Sequence, residues 1–146
     1  MANYMCTVRT NYFHVKDAEK FKEIMEQVQG YEDEVKLWEE TDQDGNPVFG
    51  FGCESGIAGI PCAPDDNGET EIDDDSYDRF IEMLQECVAD DDAVIIMEAG
   101  HEKLRYVVGS AEIITSRSTE YLDISRLAVK TAGKMLGCEF ATKMDY

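Results

Sequence analysis

The residues with the clearest chemistry are the acidic side chains of segment 65–92. This segment carries thirteen carboxylates and a single base, Arg79. The formal net charge of the 146-residue chain is -19, so most of the imbalance lies here. A dense group of carboxylates attracts Lys and Arg side chains and repels phosphate groups. The segment therefore predicts a surface that binds basic groups.

Part of this acidity has an ordinary structural explanation. The triplet 73–75 precedes or opens a predicted helix, whose positive end favours carboxylates, and the triplet 90–92 marks a turn before an apolar strand. No such reason applies to the loop acids 65–71, or to Glu82 and Glu86, which lie four residues apart with no lysine between them. The carboxylates that we expect to contact a partner are Asp65, Asp66, Glu69, Glu71, Asp73, Asp74, Asp75, Asp78, Glu82 and Glu86.

An array of anions on a protein surface suggests imitation of nucleic acid. Duplex DNA presents one negative charge per about 1.7 Å of its axis, and a groove lined with Lys and Arg accepts similarly spaced anions. Tyr77, Ile57 and Ile60 are predicted to anchor the contact, because charges mainly steer the approach. The alternative is a solvated acidic helix that only keeps the protein soluble. Residues 99–146 hold six acids and seven bases, and this local character of the acidity favours a binding surface.

Catalytic and metal-binding patterns are weak in this chain. His101 stands beside Glu98 and Glu102 at a predicted strand end, a position where catalytic residues occur. No nucleophile or metal-ligand spacing accompanies it, so a small enzyme using His101, Glu98 and a cysteine is the less favoured alternative. His14 is expected to have a structural or turn role. The five cysteines include no Cys-x-x-Cys pair, and we expect no enzymatic activity, no cofactor and no metal site.

Two turn-rich segments resemble calcium-binding or phosphate-binding loops but lack residues that those loops require. Segment 42–46 reads DQDGN, but a calcium-binding EF-hand counted from Asp42 requires glycine and glutamate where this chain has Pro47 and Cys53. The glycine-rich segment 50–59 lacks the Lys-Ser/Thr that ends a phosphate-binding P-loop. We therefore predict a hairpin turn for the first segment, and a strand followed by a turn for the second.

The periodicity of the chain predicts an α+β fold. At 43% hydrophobic, residues 1–146 are expected to form a single domain with an irregular acidic loop around 55–75. The sheet is expected to be mixed but mostly antiparallel, with about three helices on one of its faces. Strands are predicted near 4–15, 35–40, 48–53, 93–97, 104–115 and 121–124, and helices near 17–30, 75–88 and 125–136.

Three of these elements carry detailed expectations. The apolar run AVIIM at 93–97 is typical of a central, buried strand. Gly109 lies inside the following strand and predicts a bulge or bend. The last helix is expected to turn Leu127, Ala128, Met135 and Leu136 inward and to stop at Gly137.

No segment looks like a membrane span or a targeting signal. No apolar run approaches eighteen residues, and the start of the chain has no basic region followed by an apolar core. With an odd number of cysteines, the pattern predicts a soluble cytoplasmic protein with no membrane partner. The negative charge also disfavours direct binding of nucleic acid. The oligomeric state is left open.

Three stretches resemble known proteins: NYFHVKDAEKFKEIM at 11–25, MEAGHEKLRYVVG at 97–109 and TKMDY at 142–146. They are similar to small acidic, uncharacterised proteins of phages, plasmids and conjugative elements of Gram-positive bacteria. The resemblance implies a mobile-element setting, where anti-restriction and anti-CRISPR inhibitors occur, and it assigns no residue roles. Together with the charge, it predicts an inhibitor that binds the basic nucleic-acid-binding surface of a host defence nuclease. The alternative is an accessory α+β protein whose acidity serves only solubility.

Overall fold

The computed structural model describes residues 4–143, and within them the chain forms eight strands and three helices. In chain order these are β1 (Met5–Thr10), α1 (Ala18–Met25), β2 (Gln29–Gly30), β3 (Lys36–Thr41), β4 (Pro47–Cys53), β5 (Ile57–Gly59), α2 (Ser76–Cys87), β6 (Val94–Glu102), β7 (Tyr106–Ile114), β8 (Thr119–Asp123) and α3 (Ile124–Leu136). No helix in this part of the chain is long and apolar enough to cross a membrane.

Six of the strands form the main sheet, in the order β3-β4-β1-β6-β7-β8. The pairings between these strands are antiparallel, and β2 and β5 form a separate antiparallel pair. This confirms the predicted α+β class with a mostly antiparallel sheet. The predicted hairpin at 42–47 joins β3 to β4, where Gly45 has a φ of 84°.

The core is a cluster of phenylalanines between the main sheet and helices α1 and α2. Its members are Phe13, Phe21, Phe49, Phe51 and Phe80, each with 0% of its surface exposed. The ring centroids of Phe21 and Phe49 lie 5.2 Å apart, and those of Phe51 and Phe80 lie 5.5 Å apart. Tilted and edge-on contacts of this kind stabilise beyond simple burial. These contacts hold both helices on the same face of the sheet.

The opposite side of the main sheet, which we call the open face, is exposed along β1 and β6 and buried along β4. Val94 and Ile96 are buried, whereas Met97 is 52% exposed. Successive side chains of a strand point to opposite faces, so one set packs under the helices and the other set lies on the open face. The prediction that segment 93–97 is a buried central strand therefore holds only for alternate residues.

Helix α3 lies on the open face, which corrects the prediction that all helices share one face. A Cβ atom added at Gly109 would lie 3.0 Å from Ile124 Cγ2. Gly109 therefore makes room for the start of α3. The predicted bulge is absent, because the register of β7 with β6 runs without interruption along the described strands.

The inward packing predicted for α3 is also wrong. Over its length of 124–136, α3 has no buried residue. Leu127, Met135 and Leu136 are 46%, 83% and 63% exposed, and Ala128 is exposed as well. Helical spacing identifies residues that share a stripe, but it does not say whether anything covers that stripe.

Local capping rules place the helix ends. The Asp17 side chain accepts a hydrogen bond from the backbone N–H of Lys20 at 3.1 Å, so α1 begins after the predicted cap. It ends at Met25, short of the predicted Gly30, because Gly30 belongs to β2. Gly137 ends α3 with a φ of 72°, as predicted.

We expect Phe51→Ala to lower the free energy of unfolding by about 3–5 kcal/mol, because it removes a fully buried ring and leaves a cavity. Phe51 contacts both Phe13 and Phe80, at centroid distances of 6.1 and 5.5 Å. Denaturant titration followed by circular dichroism measures the change. The matched control is Tyr31→Ala, at a ring that is 70% exposed, and an equal loss in both variants would contradict this description of the core.

Candidate functional site

All ten carboxylates predicted to contact a partner are exposed. Those from Asp65 to Asp75 lie in the irregular segment that leads from β5 to α2, and Asp78, Glu82 and Glu86 lie on α2 itself. The predicted residues therefore lie on one loop and on the helix that follows it in sequence.

Two of the ten carboxylates have structural partners. Asp65 Oδ1 accepts hydrogen bonds from the backbone N–H groups of Asn67 and Glu69, at 2.8 and 3.0 Å. Asp73 Oδ1 accepts a hydrogen bond from Arg79 Nη2 at 2.7 Å, and the Arg79 guanidinium holds the pKa of Asp73 below its usual range. The expectation that the acids of segment 65–71 lack a structural reason is thus wrong for Asp65.

The other eight carboxylates make no side-chain hydrogen bond or ion pair with any residue in the described range 4–143. We call these eight the acidic surface. They are Asp66, Glu69, Glu71, Asp74, Asp75, Asp78, Glu82 and Glu86. Asp75 stands at the N-cap of α2, but its side chain makes no capping hydrogen bond.

Helix α2 orients its part of the acidic surface. Phe80, Met83 and Leu84 are buried under the sheet, which turns the other side of the helix to solvent. Asp78, Glu82 and Glu86 follow one another at intervals of four residues on that exposed side. A rise of about 1.5 Å per residue places successive members about 6 Å apart along the helix axis.

The apolar anchors expected beside these charges are not exposed. Ile57 is 6% exposed and belongs to the core. Ile60 and Tyr77 are partly buried against that core, and the Tyr77 hydroxyl donates a hydrogen bond to Glu112 at 3.0 Å. Ile72, which is 36% exposed, is the large apolar side chain that the acidic segment does present to solvent.

A second titratable cluster joins three connections of the chain. His14 Nε2 lies 2.6 Å from Asp42 Oδ2, and His14 Nδ1 lies 2.8 Å from Asp92 Oδ2. The backbone N–H of His14 also donates to Asp92 at 2.8 Å. Asp42 lies in the β3–β4 turn and Asp92 just before β6, so this cluster, the His14 clamp, fastens two turns to the segment after β1.

The contacts within the His14 clamp shift the pKa values of its three members. The hydrogen bond to Asp42, and then the one to Asp92, raise the pKa of His14. The same contact with His14, together with the Asn46 backbone N–H, lowers the pKa of Asp42. Burial opposes ionisation of Asp92, but hydrogen bonds from the His14 backbone and ring hold its pKa below the usual value.

The sequence predicts a structural or turn role for His14, but it does not identify Asp42 and Asp92 as its partners. Asp42 and Asp92 are 28 and 78 residues away along the chain. The available signal was that all three residues border predicted strands. Which turns meet at one end of a sheet depends on strand order, and the sequence pattern leaves that order undetermined.

Glu98 and His101, two of the residues considered for a small enzyme, lie on opposite faces of the main sheet. Glu98 lies on the helix side of β6, where it accepts a hydrogen bond from the Tyr4 hydroxyl at 2.9 Å. His101 is three positions further along the strand and exposed on the open face. Within residues 4–143, no group of three or more His, Cys, Asp or Glu side chains is placed to hold a metal ion.

No family model, no curated protein and no solved structure matches this chain. No residue role is therefore transferred from another protein.

We expect the His14 clamp to stabilise the fold most strongly in mildly acidic solution. Because the folded-state pKa of His14 is raised, its contribution is fully present below about pH 6.5 and is lost as the pH rises through that raised pKa. The aspartate contributions are lost only as the pH falls below about 3.9, through their lowered pKa values. The melting temperature of the wild type should therefore exceed that of His14→Gln at pH 6, by a margin that shrinks toward pH 9.

Thermal unfolding of both proteins across this range measures the margin. The control is His101→Gln, at an exposed histidine outside the clamp, which should behave like the wild type at every pH. A margin between wild type and His14→Gln that stays constant from pH 6 to 9 would contradict the assignment of an imidazolium held by two carboxylates.

Proposed function

We propose that the protein is an inhibitor that binds the basic nucleic-acid-binding surface of a host defence nuclease and blocks the entry of nucleic acid. The observation that carries this proposal is the acidic surface: eight exposed carboxylates on one loop and one helix, without partners in the described chain. Lys and Arg side chains of another protein are the groups that complement it.

The helical part of the acidic surface costs stability in the free protein. Like charges four residues apart on a helix repel one another by a few tenths of a kcal/mol per pair. Asp78, Glu82 and Glu86 form two such pairs in succession, and no base of the described chain is in an ion pair with them. A partner that brings Lys or Arg between these carboxylates relieves the repulsion. The repulsion between these carboxylates in the free protein thus favours binding of a basic partner.

The spacing of the charges decides how much of the surface the partner has to cover. One carboxylate per about 6 Å of α2 is sparser than the duplex value of one charge per about 1.7 Å. The helix alone therefore cannot match the charge density of DNA. The loop acids, including Asp66, Glu69 and Glu71, precede the same helix in sequence and add further charges. The proposed contact accordingly includes both the loop and α2.

The net charge of the chain indicates which class of partner the protein can bind. A chain of net charge -19 repels nucleic acid and anionic surfaces, so the molecule is suited to occupy a site for nucleic acid rather than to bind nucleic acid itself. The proposal places the target in host defence because the sequence analysis predicts a mobile-element setting. Restriction enzymes and RNA-guided nucleases are the targets that combine this setting with a long basic groove.

The proposed contact predicts that triple charge reversal, Asp78→Lys with Glu82→Lys and Glu86→Lys, abolishes capture of a nucleic-acid-binding protein from host lysate. The wild type should retain such a protein in low salt and release it steeply as salt rises, because exposed charges are screened. Mass spectrometry identifies the retained protein, and addition of competing duplex DNA should displace it.

The matched control reverses the same number of charges on another helix face, with Glu19→Lys, Glu23→Lys and Glu26→Lys on or next to α1. It should retain the captured protein, and thermal unfolding should show that both triple variants are folded. Retention of the same protein by the α2 variant would refute the proposed surface. Capture of no nucleic-acid-binding protein by the wild type would favour the accessory protein whose acidity serves only solubility.

A further inference from the structure

The chain forms the same five-residue turn twice, at 42–46 (DQDGN) and at 65–69 (DDNGE). The first residue of each turn is an aspartate whose Oδ1 accepts hydrogen bonds from the backbone N–H groups two and four residues later, at 2.8 to 3.0 Å. The N–H of the glycine in fourth position donates to the carbonyl of that aspartate, at 3.1 Å for Gly45 and 2.9 Å for Gly68. Both glycines have positive φ angles, of 84° and 77°. The two turns are therefore closed by the same contacts.

The residue before the glycine differs between the two turns. It is Asp44 in the first turn and Asn67 in the second. Asparagine is among the chemically labile residues of proteins, and a following glycine leaves the backbone nitrogen uncrowded because it has no side chain. The nitrogen of Gly68 and the amide carbon Cγ of Asn67 can close a five-membered ring. The second turn therefore contains an amide that can be displaced, whereas the first has a carboxylate, which is a poor electrophile when ionised.

The surroundings of Asn67 distinguish it from the other asparagines in the described range 4–143. Asn67 is exposed, and its side chain makes no hydrogen bond with any residue of that range. The side chain of Asn11 is held by backbone groups of segment 93–95, to which it donates at 3.0 Å and from which it accepts at 2.8 Å. Asn46 precedes Pro47, whose backbone nitrogen carries no hydrogen and cannot attack. Asn67 thus combines a free amide with an available nucleophile.

We propose that Asn67 is a site of spontaneous deamidation and that the product adds a ninth carboxylate to the acidic surface. The Gly68 backbone nitrogen gives up its proton and bonds to Asn67 Cγ, and the bond from Cγ to the side-chain nitrogen breaks. That nitrogen leaves as ammonia with the proton, and a cyclic imide remains. Water opens the imide at Cγ to give aspartate, or at the main-chain carbonyl to give isoaspartate. Water is the co-reactant, and no electrons are transferred.

The turn itself slows this reaction. The Gly68 N–H that has to lose its proton donates to the Asp65 carbonyl at 2.9 Å. The carboxylates of Asp66 and Glu69, next to the reacting pair in sequence, disfavour a second negative charge on the backbone. The nitrogen becomes available when the turn opens, and local opening of an exposed loop costs far less than global unfolding. The folded protein should therefore react at Asn67 more slowly than the unfolded chain does.

The aspartate product fits the turn in which it forms. Asp44 occupies the equivalent position of the turn at 42–46, and the hydrogen bonds to the Asp42 carboxylate are present there with a carboxylate at that position. Isoaspartate instead lengthens the backbone by one bond, which displaces the N–H groups of residues 67–69 from the Asp65 carboxylate. Conversion to aspartate is thus the outcome that keeps the turn and extends the acidic surface.

Incubation of the full chain in mildly alkaline buffer, followed by isoelectric focusing and peptide mass spectrometry, tests the reaction. The wild type should gain one negative charge, with the mass change of an amide converted to an acid at residue 67, and the rate should rise with pH because the Gly68 nitrogen has to be deprotonated. Asn11 and Asn46 are internal controls and should stay amides. Asn67→Gln, which would have to close a six-membered ring, should lose most of the charge shift. Conversion at residue 67 that is no faster than at residue 46 would overturn the proposal.

Two further variants test the part assigned to the turn. Asp65→Ala removes the acceptor of two turn hydrogen bonds and should speed the conversion of Asn67 several-fold, while circular dichroism shows an unchanged fold. Asn67→Asp should unfold at the wild-type melting temperature and focus with the deamidated wild type. A rate in Asp65→Ala at or below that of the wild type, or a clearly lower melting temperature of Asn67→Asp, would contradict the role of the turn. These outcomes do not depend on the nuclease target.

Discussion

Burial of the phenylalanine cluster between the main sheet and helices α1 and α2 is the constraint on which the other features depend. Because Phe49, Phe51 and Phe80 must all be covered, α2 lies with its apolar side against the sheet. The remaining side of α2 then faces solvent, and its carboxylates come with it. Alternation along the strands has the complementary effect, since each residue that enters the core places its neighbours on the open face.

The two exposed surfaces differ in chemistry because they lie on different sides of this core. The acidic surface is polar and has charges of one sign, which suits a contact that is steered over a distance and weakened by salt. The open face and α3 combine exposed side chains such as Met97 and Met135 with charges of both signs. This composition suits a close, largely apolar contact. The main sheet separates the two surfaces.

The carboxylates of this acidic chain serve several physical purposes. Asp17 and Asp123 cap helices, Asp65 closes a turn, and Asp73 holds Arg79 at the start of α2. In the His14 clamp, the carboxylates of Asp42 and Asp92 connect two separate turns through His14. Such acids have partners in the fold, whereas the carboxylates of the acidic surface have none within residues 4–143. Partner status, and not acidity alone, therefore distinguishes a candidate binding residue from a structural one.

The sequence by itself determined the features that depend on neighbours within a few residues. These include the caps at Asp17 and Gly137, the β3–β4 turn, the helix at 76–87 and the local concentration of carboxylates before and along it. Tertiary structure decided the exposure of Met135, the place of Gly109 beneath α3 and the partners of His14. Periodicity shows which residues share a face, because it follows from backbone geometry. What covers that face depends on contacts between residues far apart in sequence, and only the assembled sheet establishes them.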